Sequence, residues 1–116
     1  MDSNTFMTVV ELQFDTCKAV LAKKRAQYAP GIDRLSNFRK AGHLQNETPI
    51  KALHGMMTKH TVGLADLVET HEAGDPTDFA DWLEYITDKI NYLLLLRGLL
   101  EEVFSSVNDV DEENSH

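Results

Sequence analysis

Glu84, Asp88 and Asn91 stand four and three residues apart, the spacing that brings side chains onto one face of a helix. Two carboxylates one turn apart can reach a single hard cation. Mg²⁺ in particular is held by one or two carboxylates and leaves its other sites to water and substrate phosphates. The chemistry open to such a group is phosphate binding or metal-assisted hydrolysis. The plain alternative is a solvated helix face. Against it stands the sequence that follows, Tyr92-Leu93-Leu94-Leu95-Leu96, which is apolar on every side and therefore reads as buried on every side. At roughly 100° per residue, Phe79, Leu83, Ile86, Ile90, Leu93 and Leu94 form one core-facing stripe. The carboxylates lie opposite, on a line that continues to Leu95 and Leu99. That second apolar surface is expected to pack on another subunit.

Further candidates lie upstream. His60 falls on the stripe Leu53, Met57, Leu64, Leu67 and His71, where an apolar residue is expected. It reads either as a core histidine with a hydrogen-bond partner or as a group that faces Glu84 or Asp88 and relays a proton. Met56 and Met57 read as core filler. Lys24 and Tyr28 are four apart, and Asp33 and Asn37 are four apart. Asp33 suits an N-cap, and Leu35 and Phe38 suit a core. Lys24, Tyr28 and Asn37 are left as ligand contacts, with Lys59 a further phosphate contact. Lys89 and Arg97 read as phosphate contacts or, more commonly, surface charges.

Four helices must position these residues. The first runs from about Thr5 to Ala29, carries the stripe Phe6, Val10, Phe14, Cys17 and Leu21, and stops at Pro30-Gly31. Thr8 and Glu11 have capping-box spacing, and Ser3 or Thr5 would suit an earlier start. The second is short, Arg34 to Ala41, with Gly42 as its stop. The third begins at Thr48 as N-cap with Pro49 at the first helical position and runs to about Thr70. The fourth runs from Pro76-Thr77 to about Ser105. Three long helices and one short one predict an all-α antiparallel bundle over residues 1–106, followed by a disordered acidic tail over 107–116.

Composition narrows the function. The 116 residues suffice for one core, and the net charge of −8 argues against binding long nucleic acid. It leaves a nucleotide open, since a bound metal would supply positive charge. The single cysteine, Cys17, allows no intrachain disulfide. No signal peptide and no membrane span are legible at the N-terminus or in the longest apolar run, so a cytoplasmic location is expected.

Lys24 to Tyr28, Arg34-Leu35-Ser36-Asn37-Phe38, Lys59-His60 and Glu84 to Tyr92 together resemble phage and prophage proteins. These are related to the nucleotide modification associated domain 1 group and, through it, to the all-α nucleotide pyrophosphatases of the MazG type. The resemblance covers about Lys24 to Glu102. It implies a MazG-like helical bundle that forms a homo-oligomer, dimer or tetramer, in the cytoplasm of a bacterium or phage-infected host. It also implies Mg²⁺ at Glu84 and Asp88 and hydrolysis of a nucleoside triphosphate between the α and β phosphates. His60 would be the catalytic proton-transfer group, with Lys24, Tyr28, Asn37, Lys59 and Asn91 as substrate contacts. MazG-type enzymes carry a Glu-x-x-Glu pair on the preceding helix. In the stretch Met57 to Asp66 no such pair stands, and Asp66 and Glu69, which have that spacing, would replace it. A non-enzymatic module that binds a host protein or sequesters a nucleotide signal therefore stays open beside the enzyme.

Overall fold

The computed structural model describes the backbone of residues 1–26 and 35–114 and the side chains of 1–24 and 35–105. It is all-helical, with no strand among the described residues. The helices are α1 (Ser3–Ala26), α2 (Ser36–Leu44), α3 (Pro49–Glu72) and α4 (Phe79–Asn114). Among the described residues, no helix is long and apolar enough to cross a membrane.

Local chemistry sets the helix ends. Neither Thr8, Ser3 nor Thr5 caps α1: the Asp2 carboxylate accepts from the Thr5 N–H at 2.7 Å, and that bond holds the Asp2 carboxyl below its ordinary range. Thr48 caps α3 as its type predicts, accepting from Lys51 N–H at 3.1 Å with Pro49 opening the helix. α4 begins later than Pro76-Thr77, because Asp78 accepts from Ala80 N–H at 3.0 Å and so acts as the cap. The α4 backbone passes the end expected near Ser105 and stays helical to Asn114, through much of the acidic segment expected to be disordered. The proposed Asp33 cap lies outside the described residues.

Gly42 does not stop α2. It is buried inside the helix, and its carbonyl accepts from Glu47 N–H at 2.6 Å as the chain turns toward α3. A Cβ at Gly42 would stand 2.7 Å from the Glu47 carbonyl oxygen. Glycine is therefore required by the close approach of the two backbones, not by helix termination.

The packing departs from a closed antiparallel bundle. α4 is the hub, with α1 on one side and α3 on the other, while α2 packs on α3. Gln13 meets Thr87, and Cys17 meets Asn91, four residues further along both helices. That register makes α1 and α4 parallel. Against α3 the order reverses, with His60 beside Asp88 and His71 beside Trp82, so α3 and α4 are antiparallel.

The compact core sits where α2, α3 and α4 converge: Leu35, Phe38, Leu53 and Leu99, with Ile50, Met56, Tyr92, Leu95 and Leu96 packed around them. Leu99, expected to meet another subunit, is 3% exposed within its own chain. The wheel assignment of α4 is inverted. Thr87 and Asn91 are each 3% exposed, whereas Phe79, Leu83, Leu93 and Leu94 are exposed. The apolar stripe faces outward because α1 offers polar partners to the other side. Gln13 Nε2 donates to Thr87 Oγ1 at 2.8 Å and Asn91 Nδ2 donates to the Cys17 carbonyl at 3.4 Å. Paired polar groups can be buried at little net cost.

Candidate functional site

α4 carries the site, and α1, α2 and α3 complete it. Asp88 and Asn91 line a cavity of about 460 Å³ together with Lys24 of α1 and Asn37 and Lys40 of α2. Phe38, Met56 and Tyr92 supply apolar wall. Four residues singled out from the sequence, Lys24, Asn37, Asp88 and Asn91, are thus brought together from three helices. Lys40 was not foreseen. Its signal was its place three residues after Asn37, which puts both on one face of α2.

Asn91 has one orientation consistent with its neighbours. The Cys17 carbonyl can only accept, so the amide turns its NH₂ toward it. The Asn91 Oδ1 is left buried and without a hydrogen-bond partner. Such an acceptor costs about 1–3 kcal/mol when nothing donates to it.

His60 stands behind the cavity wall, half-buried. Its Nδ1 lies 3.7 Å from Asp88 Oδ2, too far for a hydrogen bond, and has no other partner. Its ring packs against Tyr92, with centroids 5.0 Å apart and planes tilted by 38°, and more loosely edge-on to Tyr85 at 6.5 Å. His60 faces Asp88 as expected, and Tyr92 fixes its plane.

Burial first, and the Asp88 carboxylate second, push the Tyr92 phenol above its ordinary value of 10.0. The folded chain therefore keeps that proton to higher pH than the unfolded chain does. The stability this carries is complete below the ordinary tyrosine value and is lost as pH rises through the folded value. In an alkaline titration followed by tyrosinate absorbance, Tyr92→Phe should remove a step that lies above the ordinary tyrosine value. It should also flatten the fall in stability above about pH 10. Loss of a step at the ordinary tyrosine value instead would place Tyr92 in open solvent.

The remaining candidates separate from this group. Glu84 is exposed and lines a second cavity, of about 270 Å³, with Asp66, Asp81 and Thr70. The Glu84/Asp88 pair is thus divided between two cavities, and Asp66, the residue with the missing acidic spacing, accompanies Glu84. Glu69 is exposed and lines neither cavity. Lys59 and Lys89 also line neither. Arg97 is held by Glu101 at 2.6 Å on the exposed side of α4. His71 is exposed rather than inward, edge-on to Trp82 at 5.9 Å. Tyr28 lies outside the described residues.

Asp88 offers the larger cavity a hard oxygen donor suited to Mg²⁺, with space beside it for phosphate oxygens. Among the described residues, no three His, Cys, Asp or Glu side chains converge as a ready metal cage. A cation there would draw the rest of its ligands from substrate and water, the usual habit of Mg²⁺.

No family model, no curated protein and no solved structure matches the chain. Its chemistry is read from its own side chains.

Proposed function

We propose that the larger cavity binds a nucleotide, with a nucleoside triphosphate as its fullest ligand. One observation carries the reading: Lys24, Lys40, Asn37, Asp88, Asn91 and Tyr92 line one cavity. They combine cations for phosphate, amides for base or sugar, an aromatic wall and one carboxylate. The volume of about 460 Å³ lies within the range of small-molecule sites. Lys24 and Lys40 neutralise phosphate at the cavity's edge, while Phe38 and Tyr92 cover apolar ligand surface. A ligand N–H reaching the buried Asn91 Oδ1 would satisfy its missing hydrogen bond. Asp88 would hold Mg²⁺, whose contribution is to screen phosphate charge and activate a water. His60, behind Asp88, would take a proton through that carboxylate or position it.

Two readings follow from this binding. In the first the protein is a MazG-like pyrophosphohydrolase, which adds water between the α and β phosphates and releases pyrophosphate. In the second it sequesters a nucleotide signal without hydrolysis. The division of Glu84 and Asp88 between two cavities favours the second, because carboxylates that line different cavities do not combine on one metal site.

The deciding experiment incubates the protein with each deoxynucleoside triphosphate and Mg²⁺, measuring pyrophosphate release and thermal stabilisation together. Release that is lost in Asp88→Asn supports hydrolysis. Stabilisation without release supports sequestration. Neither effect with any nucleotide refutes the binding proposal.

A further inference from the structure

α1 and α4 form an open layer whose outward side is apolar. On α4, Phe79, Leu83, Leu93 and Leu94 are 72%, 38%, 46% and 42% exposed, and Ile86 and Ile90 between them are partly exposed. Their spacing places all six on one side of the helix. α1 runs parallel to α4 and turns Gln13 and Cys17 toward it. The helical repeat then puts Met7 and Phe14, each about half exposed, on the same side of the layer. Asp88 and Asn91 point to the other side of α4, so this face lies away from the cavity.

The size of the face matches a second protein surface. Six or more half-exposed aromatic and aliphatic side chains present on the order of 800 Å² with their surroundings, about what each partner gives to a standard interface. Monomers rarely show so much apolar surface in one patch. The shape agrees. A compact chain of this length has a radius of gyration of about 13 Å, and this one has 18.1 Å, with extents of 61 × 38 × 29 Å. The long α4, about 54 Å at 1.5 Å per residue, accounts for the longest axis. The open α1–α4–α3 layer leaves the chain without a closed bundle of its own.

We infer that a second copy of the chain covers this face, two α1/α4 layers packing as a four-helix bundle about a two-fold axis. A self-complementary face is what such an axis requires, and this one is fitted for it. It is apolar along its centre, and the charges at its C-terminal end, Arg97 and Glu101, already neutralise each other. The interface runs along Leu83, Ile86, Ile90, Leu93 and Leu94, not through Leu95 and Leu99. It is independent of whether the cavity binds a nucleotide.

Sedimentation equilibrium over a dilution series tests this on the full chain. The wild type should show twice the 13.1 kDa chain mass at high micromolar concentration. Leu83→Glu with Leu94→Glu should sediment as one chain while keeping its helical circular dichroism, and Val62→Glu, on the exposed side of α3, should remain dimeric. Should the double variant unfold, Phe14→Glu on α1 gives the same readout from the other helix. A wild type that sediments as one chain at every concentration overturns the inference. So does a double variant that stays dimeric, or a Val62→Glu protein that dissociates.

Discussion

Leu53→Ala should lower the stability of the chain by about 2–5 kcal/mol, the range for deleting a buried leucine side chain. The upper part of the range is expected. Leu53 is fully buried at the meeting of α2, α3 and α4, and Leu35, Phe38 and Leu99 close around it. Among the described residues few other side chains are fully covered, Cys17 being one, so little elsewhere compensates. A domain's net stability is only about 5–15 kcal/mol, and this single change removes a large share of it. Denaturant unfolding followed by circular dichroism measures the loss. Val62→Ala, at a 53% exposed position on α3, should change stability by less than about 0.5 kcal/mol. Equal effects at the two positions would mean that the three-helix core is not where the chain is held together.

The second large effect concerns binding. Replacing Lys24 and Lys40 together by alanine should weaken nucleoside triphosphate binding by about 10- to 100-fold. Hydrogen bonds to charged groups are worth about 1.5–3 kcal/mol, tenfold in affinity is 1.4 kcal/mol, and exposure and salt discount each lysine. The loss should shrink for the monophosphate and for the nucleoside. It should also shrink in high salt, where the wild type itself binds more weakly. Lys59→Ala should leave affinity unchanged, since Lys59 lines neither cavity. Calorimetric titration of the three proteins decides. An unchanged double variant would remove phosphate from the cavity's ligand.

Part of this arrangement is legible in the sequence. Helix content, the Thr48 start and the burial of Leu35 and Phe38 rest on local rules, and they hold. Asp88 and Asn91 stand out because their polar types interrupt an apolar segment, and Lys24 and Asn37 because capping and core burial leave them unexplained. The side of α4 that faces inward was not legible. From Tyr92 to Leu96 the helix is apolar on every side, and there hydrophobic periodicity has little contrast. The decision went to Gln13 and the Cys17 carbonyl, which sit on a helix more than seventy residues away in sequence and satisfy Thr87 and Asn91. No wheel drawn on α4 alone contains those partners. The same cause hid the parallel pairing of α1 with α4. It also buries Leu99 within its own chain and turns outward the stripe expected to be core. Glu84 and Asp88 share a helix face by spacing, but each lines a different cavity. One-helix geometry cannot anticipate that split.

The central claim is that a nucleotide occupies the cavity walled by Lys24, Asn37, Asp88, Asn91 and Tyr92. The most direct measurement is a titration of isotopically labelled protein with a deoxynucleoside triphosphate and Mg²⁺, followed by nuclear magnetic resonance. The Asn91 side-chain amide, the His60 ring and the Tyr92 ring should move saturably and together, while Phe79 and Val62, both exposed and lining neither cavity, stay still. Saturable shifts confined to Glu84, Asp66 and Asp81, or no saturable shift at all, would contradict it.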